Sequence, residues 1–390
     1  MMRAWHPQAA APRGFSLIEL LVAVVIALAL TLALTKVMVN FEGGKQALGA
    51  RNDLSLGSAY LSYQLDRDLR SAGSGFMQTP TAIGCLLRAS LNNAQLLPAT
   101  AAFPAPFEAV PTQRRLLPVV VYPGIGSGGS DVLAIATGAS GASESSISGQ
   151  LASATTTSIR VQNTVGLRAD DLILVSDATL GCMIQQVTSP FAGGANQQLD
   201  FAGAYAAPTI NGLSLSSFTL NEAPTVLSLG NVTGNRPVLQ LFGIDANSNL
   251  VSYDLLNLNG NRDVQPLANG VLDLRVRYGV DTDLNGTVDT WVVPGTAGFT
   301  EAALTNGTTD PRTLMSVQVA AIVRGDMIEK DTVSPASLTM FSTLPAALQV
   351  QRTLSASELR MRLRVVEFTV PLRNVMLAWR ATLTPPPPPP

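Results

Sequence analysis

The chain has 390 residues, of which 13% are charged, and a formal net charge of −2. That balance gives no electrostatic grip on nucleic acid, and 5% aromatic content beside abundant Gly, Ala, Ser and Thr suits a β-rich extracytoplasmic body better than a helical enzyme. The single histidine, His6, precedes a long apolar run, so a chain cut at the start of that run has no imidazole for Ser-His-Asp, Cys-His or His-ligated zinc chemistry.

Residues 15–34 form that run, about 20 positions, enough to span roughly 30 Å of hydrocarbon as a helix. Arg3 and Arg13 precede it and Lys36 follows. No small-residue cleavage site follows the apolar core; the abrupt boundary lies before it, between Gly14 and Phe15. One carboxylate, Glu19, sits just inside. Buried there, it must meet a positive partner or take a proton, which makes it a functional-site candidate.

Downstream, Leu54, Leu61, Leu65 and Leu69 recur at helical intervals on one face, with Asp53, Asp66, Arg67, Asp68 and Arg70 on the other sides. Gly73 and Gly75 mark a stop. Residues 35–75 are therefore expected to continue the helix in amphipathic form. Gly43, Gly44, Gly49 and Gly57 should weaken its middle and permit local melting or bending.

Residues 76–384 read as a β-rich head. Residues 76–115 show no clear period and suggest loops with short elements, in which Phe76, Phe103 and Phe107 look scattered. "LLPVVVY", "DVLAIAT", "SIRVQ", "DLILVSD" and "CMIQQVT" then predict strands, interrupted by the loop-like "GASGASESSISGQLASATT". "LSLSSFTL", "PVLQLFGI", "NLVSYDLL" and "GVLDLRVRYGV" predict a second group. Met315, Val317, Val319, Ala321 and Val323 alternate as in a half-buried strand, "RLRVVEFTVPLRN" is the last candidate, and the 385–390 tail is polyproline.

Two features of the head carry chemistry. In "DTDLNGTVD", Asp281, Asp283, Asn285, Thr287 and Asp289 take positions 1, 3, 5, 7 and 9 of a calcium loop, with Gly286 at the sharp turn. Position 12 is Val292 rather than glutamate, and strands rather than helices flank the loop, so the readings are a Ca2+ loop on a β-hairpin or a polar turn. Trp291 beside it is expected to pack in the head. Cys85 and Cys182 are either two free thiols or, outside the cytoplasm, a disulfide closing a long loop, worth roughly 4–5 kcal/mol.

"RGFSLIELLVAVVIALAL" resembles the class III signal of type IV pilins and type II secretion pseudopilins. The resemblance implies that a prepilin peptidase cuts after Gly14 and methylates the new amine on Phe15. It also implies that Glu19 pairs with the free α-amine of Phe15, its own or a neighbouring subunit's. "DDLILVSDATLGCMIQQVT", "GVLDLRVRYGVDTDLNGTVD", "VQVAAIVRG" and "RLRVVEFTVPLRN" resemble the PilW family of type IV pilus minor pilins. That family implies an α+β, pilin-like fold: a long N-terminal helix, transmembrane then amphipathic, packed against an antiparallel-sheet head.

The organisation that follows is a leader at 1–14, a membrane and filament-core helix at 15–34, its continuation at 35–75, the head and the tail. The leader faces the cytoplasm, consistent with Arg3 and Arg13, with the anchor in the inner membrane and the head in the periplasm, later in the pilus or at its tip. The implied partners are prepilin peptidase, other minor pilins, the major pilin and a tip adhesin, with no nucleic acid. The implied function is initiation and assembly of type IV pili, supporting twitching motility and adhesion, without catalysis. The alternatives are a minor pseudopilin, which shares the N-terminal signal, and an adhesin-like tip module. A membrane-anchored periplasmic enzyme is opposed by the lack of histidine beyond His6 and of any clustered nucleophile and base.

Overall fold

The computed structural model describes residues 16–139, 147–148, 154–194, 197–219, 224–283 and 285–383. The leader, Gly14, Phe15, most of the Gly/Ser-rich stretch and the polyproline tail lie outside the described residues. The chain divides into two compact units, Met1–Asn52 and Asp53–Pro390, and helix α1, Leu17–Ser71, begins in the first and ends in the second.

In the first unit α1 starts on Ser16, whose Oγ accepts the N–H of Glu19 at 3.3 Å. Leu17–Val39 is long and apolar enough to cross a membrane. This stretch outruns the expected end at residue 34, because Val37, Met38 and Val39 resume the apolar run beyond Lys36, whose long stem can carry its charge aside. Its polar interruptions are satisfied internally: the Thr31 hydroxyl donates to the carbonyls of Ala27 and Leu28, and that of Thr35 to Thr31. The backbone stays helical through Gly43, Gly44 and Gly49.

In the second unit Leu54, Leu61, Leu65 and Leu69 are all buried, as their spacing predicts. Gly57 lies on the same side and faces strand Leu314–Ile328: a Cβ there would sit at ordinary contact distance, 3.7 Å, from Val323. Asp68 departs from the expected polar face. It is buried and accepts hydrogen bonds from Gln64 Nε2 and Arg67 Nε, both at 2.9 Å. The helix stops at Ser71, and Gly73 turns the chain at φ +83°, where a Cβ would also strike Met77.

Among the described residues, three larger sheets form most of the head. The first runs, in spatial order, Thr290–Val292, Val271–Val280, Leu314–Ile328 and Met361–Pro371, all antiparallel. The second is also antiparallel: Gln265–Ala268, Leu250–Asp254, Val238–Ile244, Val132–Thr137 and Val119–Tyr122. The third holds Ala94–Leu97, Leu87–Leu91, Gly181–Gln186, Asp171–Asp177, Thr225–Asn231 and Ile147–Ser148. It breaks the antiparallel expectation once: Leu87–Leu91 lies parallel to Gly181–Gln186, pairing Leu87 with Cys182 and Arg88 with Met183. A parallel neighbour needs a long return path, and the chain between residues 92 and 180 supplies it.

The α1 leucines share one large core with the inner faces of these sheets, and Phe76, Phe103 and Phe107 are part of it rather than scattered. Phe103 and Phe107 lean on Tyr253, with ring centroids 5.8 and 6.4 Å away. Strand Leu314–Ile328 is buried at every position from 314 to 323 rather than half-buried, and only its last three residues are exposed. Its odd positions from Val317 to Val323 enter the large core, while Ala320 and Ile322 are buried on the other face by Met340 and Phe341 of a separate hairpin, Ser337–Met340 with Val350–Thr353.

The predicted strand "LSLSSFTL" is instead a two-residue strand followed by a 3₁₀-helix, Leu215–Thr219. Leu215 and Phe218, three residues apart, fall on one side of such a helix and both are fully buried. The last predicted strand ends at Pro371, and a second helix, α2 at Arg373–Leu383, follows it.

Candidate functional site: the assembly helix and the acidic hairpin loop

Glu19 stands in the first turn of α1, on an exposed apolar segment with Leu17 at 81% and Ile18 at 74% exposure. Ser16 and Glu19 have the S-x-x-E spacing of a helix N-terminus, and the observed bond to Ser16 Oγ satisfies one of the orphan N–H groups there. A carboxylate in this turn also faces the positive end of the helix dipole. The cap was legible in "FSLIE" but is easily overlooked beside the charge.

The far end of α1 is closed by a residue that sequence reasoning missed. Asn374, on α2, donates its side-chain amide to the carbonyls of Ser71 and Ala72, both at 3.0 Å. Those acceptors are the last residue of α1 and the one after it, where intrahelical donors run out; Ser71 also accepts the N–H of Ser74 at 3.1 Å.

The acidic loop joins strands Val271–Val280 and Thr290–Val292, with Val280 opposite Thr290 and Tyr278 opposite Val292. Asp281 is fully buried, and its carboxylate accepts the N–H groups of Asn285 at 3.1 Å and Gly286 at 2.6 Å. Gly286 has φ +88°, which explains the glycine at the turn. Asp283 accepts the Asn285 side-chain amide at 2.9 Å. Asn285 Oδ1 in turn accepts the N–H and hydroxyl of Thr287 at 2.8 and 2.5 Å.

Asp289 folds back over the loop and accepts the N–H and hydroxyl of Thr282 at 2.7 and 2.8 Å. These bonds hold its carboxyl below the usual carboxylate range. Asp281, Asp283 and Asp289 converge, each offering a carboxylate oxygen within 4.8 Å of the others. Asn285 and Thr287 are brought beside them but are engaged with one another. Trp291, half-buried, approaches Gly279, where a Cβ would lie 3.1 Å from its ring.

Cys85 and Cys182 are joined in a disulfide across 97 residues, with Cα atoms 5.7 Å apart. It lies at the start of the parallel pair formed by Leu87–Leu91 and Gly181–Gln186.

Residues 233–374 match the family model of type IV pilus-assembly protein W, and residues 11–35 match the prokaryotic N-terminal methylation motif. One stretch of the chain thus resembles PilW pilus-assembly proteins, and its N-terminus carries a class III prepilin motif. No curated protein and no solved structure matches it. The PilW match takes in the acidic hairpin and the sheet that α1 packs on, and ends at Asn374. "DDLILVSDATLGCMIQQVT", in the disulfide-bearing sheet, lies outside the matched residues.

Proposed function

We propose that this protein is a PilW-family minor pilin that helps initiate and assemble type IV pili, and through them supports twitching motility and adhesion. The carrying observation is that one chain joins the methylation motif at 11–35 to the PilW match over 233–374. In this reading prepilin peptidase cuts after Gly14 and methylates Phe15. The apolar half of α1 anchors the subunit in the inner membrane with the head in the periplasm. The subunit then enters the pilus with other minor pilins and the major pilin.

Glu19 is the assembly contact. Among the described residues no cation pairs with its carboxylate, and the amine created on Phe15 supplies one where water is absent. The test is deletion of the gene, scored by surface pili and twitching, with complementation by Gly14→Val and Glu19→Ala variants. The deletion and Glu19→Ala should both lose pili, and Gly14→Val should keep the mass of the uncut precursor on immunoblots. Normal pili in the deletion sink the reading, and a protein-secretion defect with normal pili points to the pseudopilin alternative.

The acidic hairpin is a calcium site in the same reading, with Asp281, Asp283 and Asp289 as carboxylate ligands and Asn285 and Thr287 completing the loop. Convergence of three carboxylates around a glycine turn supports it. Calorimetric titration of the purified protein with calcium chloride should give saturable heat and a raised melting temperature, both lost in Asp283→Ala. No heat and no shift would leave a polar turn.

A further inference from the structure

The sheet that α1 packs on ends at one side with Met361–Pro371, an 11-residue strand whose single strand partner is Leu314–Ile328. At about 3.3 Å per residue it presents roughly 36 Å of edge. Alternate N–H and C=O groups along that edge point away from its neighbour, and among the described residues no strand takes them up. The opposite side of the sheet is closed. Thr290–Val292 pairs along its end, and further along Asp131 accepts the N–H of Val276 at 2.9 Å while donating its own N–H to Leu274 O at 2.8 Å.

Long edges are ordinarily blunted by proline, bulges or free charges. Here proline comes only at the last position. The register irregularity and the Ser334 hydroxyl bond to the Met361 carbonyl are confined to the 361–363 end. Two of the three charges are already engaged. Arg362 pairs with Glu329 at 2.5 Å, and Glu367 accepts the N–H of Phe341 at 2.6 Å. Arg364 is exposed and has no carboxylate partner among the described residues. Around it Leu363, Val365, Val366 and Phe368 are only half-buried.

These features select the ligand. A row of unpaired extended backbone is complementary to another extended strand and to little else. A second copy of the same strand is a poor match. A two-fold axis between antiparallel edges keeps each sheet face on its own side. Residues that oppose each other must then both be even-numbered or both odd-numbered. Arg362 and Arg364 would meet Val366, Phe368, Val370 or each other, and never Glu367. We infer that the 361–371 edge binds an extended segment of a different pilus-assembly protein, one that adds a strand to this sheet and places a carboxylate against Arg364.

The inference rests on the pilus-assembly reading for the source of that partner. The test uses full-length protein in detergent, alone and in complexes recovered from membranes of cells that make pili, with backbone amide exchange as the readout. In the complex, alternate amides of residues 362–370 should exchange at least about tenfold more slowly than in the free protein. Arg364→Glu should lower complex recovery several-fold and Arg364→Lys should restore it, both with unchanged melting temperature. The proposal is overturned by unchanged edge exchange in a complex that forms, by absence of any complex, or by edge protection in a purified homodimer. Lost piliation in the deletion with unchanged edge exchange removes this proposal alone, whereas normal piliation with a protected edge removes only the assembly reading.

Discussion

Asp177 shows how much one carboxylate can fix in this head. Its Oδ1 accepts the Thr179 N–H at 2.7 Å, the Thr179 hydroxyl at 2.7 Å and the Leu180 N–H at 2.9 Å, tying the turn between the strands Asp171–Asp177 and Gly181–Gln186. Burial pushes its carboxyl up, but these bonds outweigh burial and hold it below the ordinary value. For a depressed carboxyl, stability is in full force above the unfolded-state pKa of about 4 and is lost as pH falls through the folded value. Asp177→Asn, which keeps the shape and removes the charge, should cost about 1 kcal/mol at neutral pH. The gap to wild type should close in acid. Urea unfolding of both proteins across a pH series checks this, and a gap that persists in acid would refute the charge as its source. The sequence "SDATLG" advertises a turn but not which oxygen closes it. The acidic loop was easier to read because alternating Asp and Asn before Gly286 is a pattern in itself.

Among the elements, α1 was the most legible, since four leucines at helical spacing need only one buried face to explain them. Its closure was not legible. Asn374 lies about 300 residues away in sequence, and no local rule links it to the carbonyls of Ser71 and Ala72. Asn374→Ala should therefore cost about 1 kcal/mol by removing both bonds and orphaning the Ala72 carbonyl, while Ser71 keeps the N–H of Ser74. Asn374→Asp, which cannot donate, should be no better. Thermal melts of the two variants test the cap, and a wild-type melt for Asn374→Asp would sink it. The same limit explains Leu314–Ile328. Its alternation correctly announced a strand, yet Ser316 and Gln318 on the second face hid the fact that a distant hairpin buries that face too. "LSLSSFTL" failed for a local reason: Leu213 and Leu215 suit period two, and only Phe218 reveals period three.

Taken as a whole, the head depends on long-range links that few contacts of the backbone secure. The strands Leu87–Leu91 and Ala94–Leu97 come early in the chain, but join the third sheet through just two parallel register pairs, Leu87 with Cys182 and Arg88 with Met183. The Cys85–Cys182 disulfide sits at that junction and closes a loop of 97 residues. In the chain-entropy account, a loop of this size restricts the unfolded chain enough to stabilise the fold by roughly 4–5 kcal/mol. The double variant Cys85→Ser, Cys182→Ser should thus unfold at a lower guanidinium concentration. Its m-value should rise, because an uncrosslinked unfolded chain exposes more surface. Amide exchange should localise the weakness: residues 87–97 should lose protection before residues 316–323 of strand Leu314–Ile328, which pair on both sides and are buried on both faces. An unchanged midpoint would mean that packing of Leu87, Ala89 and Leu97 in the large core holds the junction without the cross-link. A lowered midpoint with uniform loss of protection would place the disulfide's effect on the whole fold rather than on this seam.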